Sequence, residues 1–199
     1  MNAVSEAKDA VSVNSSYIKH YLSSLAHCLD VLDLDAIETA IRWIGEAGSG
    51  GNVVFTCGNG GSSSIASHFV ADLVHGASQR GRIPFRAICL SDNTPTLTAI
   101  ANDEDYEHVF VRPLMNLAVR EDILFAISGS GNSANVLRAV EYAKDAGCRT
   151  IGLTTGKGGW LREIVDLPLE VNSAHFGRLE DTFLAVCHVL AFSFGDQTS

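Results

Sequence analysis

The chain has 199 residues, 46% of them apolar and 19% charged, with a formal net charge of −9. That length suits one compact domain, and the apolar share supplies the core that a disordered chain lacks. No basic run or basic face stands out, which argues against nucleic acid as a partner; an anionic ligand would be held locally, by backbone N–H groups and hydroxyls.

Residues 1–16 are polar and small and read as a flexible N-terminus, without the apolar stretch of a signal peptide. From 17 to 47, Ile18, Tyr21, Leu22, Leu25, Leu29, Leu32, Ile37, Ile41 and Ile44 recur at helical spacing. This predicts two helices broken at Leu34–Asp35, the second ended by the glycines of 48–51. Apolar positions all round the segment suggest a helical interface. VVFTC at 53–57 reads as a buried strand, and 62–77 as a helix. A strand follows at 85–90. The next helix, over 94–103, starts with a Thr cap and a proline. A strand at 122–128, a helix over 133–147 stopped by Gly147, strands at 148–154 and 167–171, and a last helix over 178–196 complete the chain. Short apolar strands alternating with helices predict an α/β fold: a doubly wound, mostly parallel five-stranded sheet flanked by helices. The whole of 17–199, N-terminal helices included, reads as one domain. No apolar run approaches the roughly 18 residues of a membrane span, so no membrane is expected.

Cysteines at 28, 57, 89, 148 and 187 are odd in number, show no C-x-x-C spacing, and mostly fall in apolar runs. They read as buried, reduced thiols of a cytoplasmic protein.

In such folds ligands gather at the carboxyl ends of the strands. Four small-residue loops follow strands here: GNGGSSS, SDNT, SGSGNS and TTGKGG. GNGGSSS leaves backbone N–H groups unobstructed at a helix start and adds hydroxyls. It is neither a P-loop nor a dinucleotide fingerprint. SGSGNS repeats the design with Ser128, Ser130 and Ser133. A lone loop of this kind is more often a plain turn; two after strands of one sheet point to a phosphate or polyol cradle.

His68 and Asp72 lie four apart and share a helix face. The pair suits metal ligation or proton transfer, and equally a surface hydrogen bond. Glu180, Asp181 and His188 form a second set on the last helix. Glu180 and His188 are about 12 Å apart in helix rise, marginal for one ion. His108 and His175 read as surface or loop residues.

Strand–GNGGSSS–helix, then AIAND, SGSGNS and GLTTGKGG, together resemble the SIS (sugar isomerase) domain, and within it the phosphoheptose isomerases, over about 17–196. That resemblance implies an aldose–ketose isomerase converting sedoheptulose 7-phosphate to D-glycero-D-manno-heptose 7-phosphate through an enediol. It implies a divalent metal, zinc in the family, and a homotetramer with sites shared between subunits. Asn59, Gly60, Gly61 and Ser62 match the family's substrate loop, Asn102 and Asp103 its AND motif. Ser128, Gly129, Ser130 and Ser133 match its phosphate loop. His68 and His188 match zinc-binding histidines, His188 also acting in catalysis. Asp72 stands where the family has a glutamate serving as ligand and base, and Glu180 where it has a glutamine ligand. Phe183 stands where many relatives have a histidine. The changes at 72 and 180 leave open an isomerase of another sugar phosphate, and a non-catalytic SIS sugar-phosphate-binding or regulatory protein is the remaining alternative.

Overall fold

The computed structural model describes residues 14–77, 83–157 and 159–195. Most of the expected flexible N-terminus lies outside these residues, and Ser15 and Ser16 are already helical.

Helix α1 (Ser15–Asp30) is capped by the Asn14 side chain, which accepts from the Ser16 and Tyr17 N–H groups. Helix α2 (Leu34–Gly50) follows after three residues. The break therefore precedes the expected Leu34–Asp35. The Asp33 carboxylate accepts from the Ala36 N–H, so Leu34 and Asp35 form the first turn. The helix runs on through Gly50, and Gly51, at φ +76°, ends it in the left-handed conformation. Strand β1 (Val53–Cys57) leads into α3 (Gly61–Ala71). The expected uniform helix over 62–77 changes character at Asp72, where a wider π-helical turn (Asp72–Ala77) takes over.

Strand β2 (Arg86–Cys89) is followed by α4 (Thr94–Asp103). Its cap is Asn93, not the expected Thr94: the Asn93 carboxamide accepts from the Thr96 N–H. A short 3₁₀ turn (Tyr106–His108) and α5 (Val111–Leu117) had no periodic signal of their own. Then come β3 (Ile123–Ser128), α6 (Ala134–Asp145), β4 (Arg149–Thr155), a single-turn α7 (Leu161–Ile164), β5 (Leu167–Val171) and α8 (Phe176–Phe192). Gly147 closes α6 at φ +82°.

The five strands are parallel throughout, in the order β2-β1-β3-β4-β5. Alternate residues of β1 and β3 feed two cores. Val54, Ile123, Phe125 and Ile127 pack with Ile44 of α2, Phe69 of α3 and Phe183 and Leu190 of α8. Val53, Phe55, Leu124 and Ala126 pack with Leu114 of α5, Val136 and Val140 of α6 and Leu161 of α7. Both faces are covered, which is why the strands read as unbroken apolar runs. Phe183, at a position where a histidine was a family alternative, is fully buried. Buried Asp122 joins strand starts, accepting from the Val53 N–H at 2.8 Å and the Val119 N–H at 2.9 Å. All five cysteines are buried and unpaired. No helix among the described residues is long and apolar enough to cross a membrane.

Candidate active site

With this strand order, the chain departs in opposite directions from β1 and β3, and the crevice between their carboxyl ends is the natural ligand site. A cavity of about 230 Å³ lies there, lined by Asn59 and Ser62 from the first loop, Ser128, Gly129, Ser130 and Ser133 from the third, and Phe176 and Glu180 from α8. Two of the four small-residue loops thus line one pocket. Ser91 of the second loop, and Trp160 and Leu161 just past the fourth, buttress it. Ser91 Oγ donates to the Gly58 carbonyl at 3.1 Å, and the Leu161 N–H and Trp160 N–H donate to the Gly131 carbonyl and Asn132 Oδ1.

The serine hydroxyls converge. Ser128 Oγ lies 3.2 Å from Ser133 Oγ and 3.5 Å from Ser130 Oγ. Thr154 Oγ1 donates to the Ser128 carbonyl at 2.8 Å and fixes the strand end that carries them. Neither α3 nor α6 has a cap residue whose side chain bonds the first turn; in α6 the Val136 N–H finds Asn135 Oδ1 at 3.0 Å. Gly60 sits at φ +54°, a conformation that favours glycine. Gly61 is glycine for space: the Glu180 carboxylate occupies the place a Cβ would take.

Gly61 meets Glu180, and further along the same two helices His68 meets His188, so α3 and α8 run side by side in one direction. At the second meeting point His68, Asp72 and His188 each bring a ligand atom within 4.8 Å of the others. His68 Nε2 is 3.1 Å from His188 Nε2 and 3.3 Å from Asp72 Oδ2; His188 Nε2 is 3.6 Å from that oxygen. Asp72 Oδ2 is buried yet accepts no hydrogen bond, so the carboxylate and imidazoles are close without sharing a proton along that edge. Ligand atoms about 3.3–3.4 Å apart follow from tetrahedral bonds of roughly 2.0–2.1 Å, and this donor set fits a divalent ion such as zinc. The π-helical turn begins at Asp72, the residue whose carboxylate completes the group. Behind the group, burial and then the Asp72 carboxylate push the Cys187 thiol well above its ordinary value, leaving it a neutral packing group.

Of the residues singled out in the sequence, Glu180 stands with the serine pocket rather than among the three clustered donors. Asn102 and Asp103 are exposed at the end of α4, where Asn102 Nδ2 donates to Asp103 Oδ1 at 2.8 Å. His175, exposed, meets the Tyr21 ring edge-on with centroids 5.4 Å apart. His108 is half-buried, its Nδ1 2.9 Å from Asp105 Oδ1.

Three contributors escaped the sequence reading. Phe176 walls the pocket. Asn135, 3% exposed, forms a reciprocal amide pair with Asn59, both bonds 2.9 Å, and Tyr106 Oη donates to Asn59 Oδ1 at 2.9 Å. Neither residue belongs to a motif; only the N in SGNSAN, two residues past Ser133, hinted at one.

The SIS domain family matches residues 16–155. A phosphoheptose isomerase of Crocosphaera subtropica is 40% identical over 86% of this chain and 87% of its own length. One from Aliarcobacter butzleri is 37% identical over 89% of this chain and 95% of its own. The solved structure of a phosphoheptose isomerase from Francisella tularensis superposes with a TM-score of 0.83 at 31% identity, covering 90% of this chain and 95% of that one.

Proposed function

Since this chain belongs to the SIS-domain family of phosphoheptose isomerases, we propose that it converts sedoheptulose 7-phosphate to D-glycero-D-manno-heptose 7-phosphate through an enediol. The observation that carries this reading is the placement of the serine pocket and the His68–Asp72–His188 group at two stations of the α3–α8 pair. Six residues separate Ser62 from His68 and eight separate Glu180 from His188, or roughly 9–12 Å of helix rise. An extended chain advances about 1.2 Å per bond, so a seven-carbon sugar spans about 8 Å from C2 to phosphorus and a five-carbon sugar about 6 Å. With the reach of an oxygen to the metal ligands added, the heptose suits the spacing better.

Ser128, Ser130 and Ser133, with the N–H groups that open α6, grip the phosphate. Gly60, Gly61, Ser62 and Gly129 flank the sugar, Asn59 stands where the phosphate meets it, and Glu180 accepts from the sugar hydroxyls. Asn102 and Asp103, which precede Tyr106 by a few residues, serve the far rim. His68, Asp72 and His188 would hold a divalent metal; Glu180, a ligand position by family resemblance, sits instead at the serine pocket. When bound, the metal polarises the carbonyl and stabilises negative charge on oxygen. Asp72 takes the proton from the carbon beside the carbonyl and returns it to its neighbour; His188 passes the proton between the two oxygens. The carbonyl moves by one carbon, with no oxidant or reductant. Binding the distant phosphate fixes the reacting end.

The homotetramer and the cytoplasmic location belong to the same proposal. Tyr17, Ile18 and Leu22 leave an apolar face on α1 open for another copy, and the unpaired buried thiols suit a reducing compartment. Light scattering of the purified chain tests the assembly. The reaction is tested by NMR of sedoheptulose 7-phosphate in D2O, with added zinc and with chelator. Deuterium at the carbon beside the carbonyl and a new aldose signal, both lost with chelator, are expected. Absence of exchange under both conditions overturns the assignment.

A further inference from the structure

We propose that Tyr106 and Asn135 are positioning residues that turn Asn59 into a one-way hydrogen-bond donor in the serine pocket. The inference rests on the reading of that pocket as a phosphate-sugar site.

The polarity can be followed from the backbone outward. The Val136 N–H can only donate, and its side-chain partner, at 3.0 Å, is Asn135 Oδ1. That end of the Asn135 carboxamide is therefore the oxygen, and the other end is the NH2 group. Asn135 Nδ2 donates to Asn59 Oδ1 at 2.9 Å, and Asn59 Nδ2 donates back to Asn135 Oδ1 at 2.9 Å. Tyr106 Oη supplies the second donor to Asn59 Oδ1 at 2.9 Å. The Asn59 oxygen now has both lone pairs engaged, and its nitrogen has one of two hydrogens engaged. One N–H is what the side chain has left for the pocket it lines. It suits a phosphate or hydroxyl oxygen. A flipped carboxamide would present its oxygen to the anion, and the flip would set donor against donor and acceptor against acceptor at Asn135, while the Tyr106 hydroxyl would lose its acceptor.

Tyr106 is itself held. Its turn is capped by Asp105, which accepts from the Glu107 N–H at 2.8 Å. Glu107 pairs with Arg138 of α6 at 2.7 Å, and Glu104 with Arg112 at 2.7 Å. The hydroxyl reaches Asn59 across three separate chain segments. Tyr106 is also 52% exposed, so its hydroxyl can be removed with little loss of core packing.

The test compares the full chain with Tyr106→Phe, using inorganic phosphate titrated by 31P NMR and KM and kcat for sedoheptulose 7-phosphate. Expected is a roughly two- to tenfold weakening of phosphate binding, the range one hydrogen bond carries. KM rises in parallel, while kcat and Tm stay unchanged. Asn59→Asp, which replaces the remaining donor with an anionic acceptor, abolishes phosphate binding. Unchanged phosphate affinity and KM in Tyr106→Phe overturn the proposal. So does a fall in Tm with kcat lost at constant KM, which would make Tyr106 a stabilising residue only. Because the phosphate arm needs no turnover, weakened binding without any isomerisation in the parent protein would uphold the positioning role and sink the isomerase reading. A parent protein that binds no phosphate sinks both.

Discussion

His68 Nε2 and His188 Nε2 lie 3.1 Å apart although 120 residues separate them in the chain. Asp72 Oδ2 closes the triangle at 3.3 and 3.6 Å and finds no hydrogen bond in its buried position. A carboxylate buried this way keeps its place when an ion or a proton satisfies it.

Asp72→Asn keeps the shape of the side chain and removes its charge. Zinc affinity, measured by competition with a chromophoric chelator, is expected to fall by at least about tenfold, and isomerisation to be lost with phosphate binding intact. Zinc binding equal to the parent's would remove Asp72 from the ligand set.

Ser130→Ala deletes one of the three convergent hydroxyls. Phosphate affinity should drop by roughly 10- to 150-fold with kcat at saturation little changed, since a hydrogen bond to a charged group is worth about 1.5–3 kcal/mol. An unaltered KM would argue that the hydroxyl faces the loop and not the ligand.

Gly61→Ala puts a methyl group where the Glu180 carboxylate sits. That carboxylate ends a flexible side chain, so it can swing away and thermal unfolding should shift by no more than a few degrees. The swing removes Glu180 from its place, and KM should rise. A large fall in Tm without a KM effect would contradict this account.

Tyr21 of α1 donates to Asp181 of α8 at 2.5 Å, and this bond, with the charge of Asp181, raises its phenol to about 12. A folded-state value above the unfolded one of about 10 stabilises the native form at neutral pH. The contribution is complete below about pH 10 and disappears as the pH climbs toward 12. Absorbance titration of the phenolates should show one late-titrating tyrosine that is missing in Tyr21→Phe. The variant should also lose its stability deficit relative to the parent at alkaline pH.

Strands β1 and β5 coincide with their sequence signals because each is a short apolar run bounded by strong turn residues. Helix starts were less legible. Asp33 and Asn93 cap one residue ahead of the periodic pattern, and a cap is a matter of side-chain geometry, not of periodicity. The π-helical turn at Asp72 has no composition that sets it apart from its helix. At the site, the His68–Asp72 pair was visible as an i, i+4 relation, and the serine loops as a repeated pattern. The link of Asn59 to Asn135 spans 76 residues and that to Tyr106 spans 47, distances over which no local period speaks. Whether two acidic or histidine side chains on α8 serve one station or two depends on which residues of α3 they face. Glu180 faces Gly61 and His188 faces His68.

The buried thiols of Cys57, Cys148 and Cys187 give this protein a built-in clock. Burial pushes the Cys57 and Cys187 thiols strongly upward and raises Cys148 to about 11, so almost no thiolate exists in the native state at neutral pH. A thiol reagent can therefore react only as fast as the structure opens around each cysteine, and the order of labelling is an order of local unfolding. Cys148, at the edge of its core beside the β4 start, should label ahead of Cys187, which sits under the His68–Asp72–His188 group. Zinc should slow Cys187 selectively, turning one sulfur into a reporter of occupancy several bonds away from the ion.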